Sequence, residues 1–86
     1  MSKNKSYERI KTTLEKYANE GQTKKAVEYI ESHKAEIAKI IDLFGSGNSY
    51  ISSAYDISYQ KHDFSFAEEY ERKLESIQSN ALFDDQ

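Results

Sequence analysis

Two histidines, His33 and His62, are the side chains in this sequence that titrate near neutral pH without help from their surroundings. His33 and Glu36 stand three apart. On a helix that spacing puts an imidazole and a carboxylate on one face, as half of a carboxylate-rich metal site. The matching half would have to come from elsewhere, and no other Glu/His pair has that spacing. His33 also falls on an apolar stripe, where a histidine with one hydrogen bond serves the core. His62 stands beside Asp63 and reads as structural.

Nucleophilic chemistry needs a base beside the nucleophile and a third group to orient the base. Serines are plentiful, but no Gly-x-Ser-x-Gly elbow occurs. Glu68, Glu69, Glu71 and Glu75 wrap around a helix instead of converging, whereas acid/base pairs want a shared apolar cleft. Gly45-Ser46-Gly47 lacks the Gly-Lys-Ser/Thr that completes a phosphate-cradling loop. The chain is therefore expected to be no enzyme and to take no cofactor and no metal.

The elements that would hold any site are helical. The 86 residues include no proline and only three glycines, which favours long helices. Tyr7, Ile10, Leu14 and Tyr17/Ala18 make one stripe over helix 1, read at 5–20, with Ser6 as its cap and Gly21 as its stop. Ala26, Ile30, His33, Ile37, Ile40/Ile41 and Phe44 make a second stripe over helix 2, read at 24–44, with Thr23 capping it and Gly45 ending it. The short Gly21–Thr23 link predicts an antiparallel hairpin. The stretch Tyr17–Tyr29 resembles the inter-helix turn of a tetratricopeptide unit. No second copy stands at the 34-residue period, so a repeat protein is not expected.

Ile51, Tyr55, Tyr59, His62, Phe66, Tyr70, Leu74 and Ile77 keep helical spacing, which reads as helix 3 at 49–80. Tyr55, Ile57 and Tyr59 also alternate, as do Phe64 and Phe66, so a short hairpin at 54–66 is the alternative. Ser65–Glu68 has the form of a capping box, which places a kink or break near residue 63. The tail at 81–86 is expected to fray. The predicted fold is all-α: a single domain, 1–86, built as a small antiparallel bundle of three helices. The alternative is α+β with the hairpin.

Cysteine is absent, so disulfides cannot support so small a core. Oligomerisation or folding onto a partner is the remedy left, and a homo-oligomer is expected. No apolar run is long enough to span a bilayer and no secretory h-region is present, which predicts a cytoplasmic protein without membrane contact. The net charge of −3 hides an asymmetry: residues 1–25 sum to +4 and the rest to −7.

Two surfaces follow. The acidic half carries Tyr55, Asp56, Tyr59, Asp63, Phe66, Glu69 and Tyr70, a tyrosine-rich set of the kind enriched at binding hot spots. It predicts a non-enzymatic module that inhibits or regulates another protein with a basic surface. Immunity, anti-restriction, anti-CRISPR and antitoxin proteins offer analogies of size and charge. Richness in Lys, Asn, Ile, Tyr and Ser hints at an AT-rich bacterial or phage genome. The basic half carries Tyr7, Arg9, Lys24 and Lys25, which could meet only across subunits. There they would hold a phosphate-bearing ligand such as a signalling nucleotide, the alternative function. Direct nucleic-acid binding is not expected from an acidic domain without a basic stripe.

Overall fold

The computed structural model describes the backbone of residues 2–84 and the side chains of residues 5–78. Among them are five helices: α1 (Ser2–Glu20), α2 (Thr23–Ser32), α3 (Lys34–Phe44), α4 (Ser49–Gln60) and α5 (Phe64–Asp84). The all-α class stands, and no strand forms among the described residues, so there is no hairpin at 54–66. The three-helix bundle is overturned: the helix read at 24–44 is divided, and the break expected near residue 63 separates two distinct helices.

The first division is a single residue, His33 (φ −118°, ψ 27°). Its backbone N–H still donates to the carbonyls of Tyr29 and Ile30, and its own carbonyl accepts from Ile37. Its imidazole turns back, Nδ1 lying 2.9 Å from the Tyr29 carbonyl and the ring stacking on Tyr29 at 4.1 Å. The imidazole thus shares the Tyr29 carbonyl with the residue's own N–H, a local side-chain bond that favours a turn over a continued helix. The apolar spacing runs straight through the break, which is why periodicity alone reads one helix.

The second division lies at 61–63. His62 adopts φ 62°, and its N–H donates to the Tyr59 carbonyl while Asp63 N–H reaches Ser58. That is the paired closure of a left-handed helix cap. Asp63 then caps α5, its Oδ1 accepting from Phe66 N–H at 3.2 Å. The cap is therefore Asp63, not Ser65. Likewise Ser6 lies inside α1, where its hydroxyl donates to Glu36 across the core, and Thr23 is inside α2, behind Gln22. Asn48 caps α4 by accepting from Tyr50 N–H at 2.9 Å. The helix continues to Asp84 through most of the stretch expected to fray; residues 85 and 86 lie outside the described ones.

The pairing also differs from an antiparallel hairpin bundle. The chief partner of α1 is α4, and α2 packs mainly on α5. Tyr7 meets Tyr50 near the start of α1 and α4, with ring centroids 5.7 Å apart. Just past their ends, a Cβ on Gly21 would stand 3.5 Å from Asp63 Oδ2. The two helices therefore run parallel. Lys73 reaches Glu31 at 2.5 Å and holds α5 beside α2; the tight turns after α1 and α4 send both helices back in the same sense. Two helix–turn–helix units thus stack side by side, with α3 as the crossover.

The turns of the two units match. Gly21 (φ 67°) donates to Ala18 and Gln22 to Tyr17, the hydrogen bonds that His62 and Asp63 repeat 41 residues later. Ala26 and Ala67 then fall at the same register, as do Tyr29 and Tyr70. The tetratricopeptide-like turn does have a structural counterpart, at a longer spacing than 34.

The core gathers Ile10, Leu14, Ile30, Ile37, Ile40 and Ile51 from four helices, all essentially without solvent contact. Each such side chain contributes about 1.5–3 kcal/mol by burial. Ala18, Ala54 and Ser58 are small and fully buried, which lets α1 and α4 approach closely. Among the described residues no helix is long and apolar enough to cross a membrane.

Candidate protein-binding surface

On α4, Ile51, Ala54 and Ser58 face the core. Tyr55 and Tyr59, one turn apart, flank that stripe and stack with ring centroids 5.9 Å apart. The left-handed His62 reverses the chain so that Phe64 returns edge-on to Tyr59 at 5.1 Å, with the His62 ring edge-on to Phe64 at 5.7 Å. A run of four rings therefore covers the α4–α5 corner. Tyr59 is 54% exposed and Phe64 50%. Asp56 is exposed beside them, and Tyr55, Asp56, Tyr59 and Gln60 line an open depression. Partial desolvation, then the Glu71 carboxylate, Tyr59 and Asp56, push the Tyr55 phenol up from its ordinary value.

Of the seven residues proposed from sequence for the acidic face, the structure brings Tyr55, Asp56 and Tyr59 together at this corner. Phe66 and Tyr70 do not reach the surface. They stack on each other in the core at 5.7 Å, and the Tyr70 hydroxyl donates to the Ile51 carbonyl at 2.6 Å. Burial, with a smaller push from Glu15, raises the Tyr70 phenol far above its ordinary value. Asp63 is half-buried and occupied as a cap. Glu69 is exposed and pairs with Arg72 at 3.4 Å.

Phe64 and His62 were not among the residues that sequence reasoning selected. The signal was present: on a helix, residues two apart face nearly opposite sides, so Phe64 must point outward once Phe66 points in. A second aromatic group was also missed. Leu43 and Phe44 are exposed at the end of α3, and Phe44 meets Tyr50 at 5.5 Å and Tyr7 at 6.1 Å.

The basic set is not assembled within the chain. Tyr7 is 4% exposed, its ring held edge-on by Phe44 and Tyr50. Arg9, Lys24 and Lys25 are exposed, but the two lysines begin α2 beyond the far end of α1 from Tyr7. The metal half-site is also engaged otherwise: His33 is bonded to the Tyr29 carbonyl and Glu36 to Ser6. Among the described residues no three His, Cys, Asp or Glu converge.

Comparison with protein-family models, curated proteins and solved structures returns no match to this chain.

Proposed function

We propose that this chain is a cytoplasmic protein-binding module that inhibits or regulates a partner with a basic surface. It engages that partner through Tyr55, Asp56, Tyr59 and Phe64. The observation that supports the reading is the exposed run of rings at the α4–α5 corner. Tyr59 and Phe64 are half-exposed in a chain whose core is already filled by other residues. Large rings that lie together on a surface, bordered by polar groups, mark interaction sites more often than scattered ones do. Aromatic anchors supply most of the affinity at such sites, because they carry much apolar area on few rotatable bonds. The charge of residues 26–86, −7, supplies the sign of the partner. Acidic side chains around an aromatic centre steer a basic protein towards it and reject an acidic one.

The test is a photo-reactive phenylalanine analogue placed at position 59 in cells of the source organism, with position 28 on exposed α2 as control. A specific crosslink to a protein with a basic patch is expected at 59 alone. Its yield should fall as salt rises from low to high ionic strength. Crosslinks of equal yield at both positions, or none at 59, would remove this surface from consideration.

A further inference from the structure

The rings at the corner border a second, deeper feature. Between α4 and α5 lies a cleft of about 200 Å³, lined by Ile51, Ser52, Tyr55, Tyr70, Glu71 and Leu74, with Ser46 at its edge. Its floor is apolar: Ile51 is fully buried and Leu74 half-buried. One wall is Tyr55, shared with the open depression that contains Asp56 and Tyr59. The opposite wall carries the exposed Glu71. The nearby cations are engaged elsewhere, Arg72 with Glu69 and Lys73 with Glu31. Among the described residues none forms an ion pair with Glu71.

Size narrows the occupant. Pockets for drug-sized ligands run to roughly 300–1,000 Å³, so this cleft is small for a nucleotide and suited to a single side chain. Chemistry narrows it further. An apolar floor suits a methylene stem, a phenol ring offers its face to a cation, and an unpaired carboxylate at the rim accepts charge-assisted hydrogen bonds. Arginine meets all three demands, since its planar guanidinium both stacks on a ring and bonds a carboxylate in bidentate fashion.

We propose that the cleft formed by Ile51, Leu74, Tyr55 and Glu71 receives an arginine side chain of the partner protein. This assignment rests on the protein-binding reading above and gives it a specific anchor. The tyrosine face selects a planar cation, and Glu71 fixes its orientation. The aromatic run from Tyr55 to Phe64 then covers the surface around the inserted residue.

The probe is the blocked tripeptide acetyl-Gly-Arg-Gly-amide, titrated into the full-length ¹⁵N-labelled protein and followed by amide chemical shifts. Saturable shifts centred on Ser52, Tyr55, Glu71 and Leu74 are expected. The citrulline and lysine analogues should bind at least about fivefold more weakly, because they lose the charge or the planar fork. Glu71→Gln, an exposed change, should weaken the arginine peptide by a similar factor. Equal binding of the citrulline peptide, indifference to Glu71→Gln, or shifts centred on Asp56 and Gln60 instead would overturn the assignment. A parallel arm measures the position-59 crosslink in Glu71→Gln and in Asp56→Ala/Phe64→Ala. Loss of the crosslink partner in the double variant but not in Glu71→Gln overturns the cleft and leaves the partner surface standing. Peptide binding in the cleft with the crosslink unaffected by either variant keeps the cation site but overturns both a partner arginine as its occupant and the Tyr55–Phe64 surface.

Discussion

Removing one oxygen atom from the core gives a direct measure of how the helices are joined. Tyr70→Phe keeps the buried ring and its stacking on Phe66 but deletes the hydroxyl that donates to the Ile51 carbonyl at 2.6 Å. The Ile51 carbonyl still has its helical partner, so no acceptor is left orphaned. The expected cost is therefore that of one ordinary internal hydrogen bond, about 1 kcal/mol. In a domain of this size that corresponds to a fall of about 4–8 °C in Tm. The same hydroxyl supplies a pH signature. Burial holds the Tyr70 phenol far above its ordinary value in the folded protein, whereas in the unfolded chain it ionises near pH ~10. A raised folded value means the stabilisation is complete below the unfolded value and is lost as pH rises above it. At pH 11 the linkage amounts to about 1.4 kcal/mol, enough to cancel the hydrogen bond. The other six tyrosines are common to both proteins and drop out of the difference. Urea unfolding followed by circular dichroism at pH 7, 10 and 11 reads the effect. Wild type should lead at pH 7 and converge with Tyr70→Phe near pH 11. A constant gap across that range, or a more stable variant at pH 7, would show that the phenol is not sequestered as described.

Asp63→Ala removes the side-chain acceptor at the start of α5 and should cost about 1 kcal/mol, read as a lower urea midpoint with an unchanged m-value. His62→Gly relieves a left-handed residue that carries a Cβ and should raise stability by about 0.5–1 kcal/mol in the same assay, despite the lost contact with Phe64.

Much of the helical content was legible in the sequence, as was the break near residue 63; the break at His33 and the way the helices pair were not. The stripe from Tyr7 to Ala18 reads the buried face of α1 correctly, because that helix carries one apolar face along its whole length. The break at His33 escaped because that residue is neither a glycine nor a proline, whereas the break near residue 63 was legible in the Ser65–Glu68 pattern, although the cap is Asp63. At His33 a side chain shares a backbone acceptor with its own N–H, and at His62 a left-handed cap is formed by an imidazole-bearing residue. The second copy of the turn escaped for the same reason: its glycine position holds histidine, and α3 stretches the spacing to 41. At the candidate surface, Tyr55, Asp56 and Tyr59 were found by residue type and helical spacing. Phe66 and Tyr70 were assigned to the surface because composition cannot tell a core ring from an exposed one. Only the direction in which α5 leaves the corner decides that Phe64 faces outward and Phe66 inward.

The parallel stacking of α1 on α4 and α2 on α5 has a consequence for how the chain must fold. Partners such as Tyr7 and Tyr50, or Glu31 and Lys73, lie some forty residues apart, so few of the decisive contacts are local. Loop closure over that span must come before the contacts that reward it. Each helix–turn–helix half alone leaves its apolar stripe facing water, so the order of one half depends on the presence of the other. Cut at the Gly45–Asn48 loop, the molecule becomes two halves that each supply the missing face of the other. The exposed linker between them acts as a tether that raises their effective concentration, not as part of the packed structure.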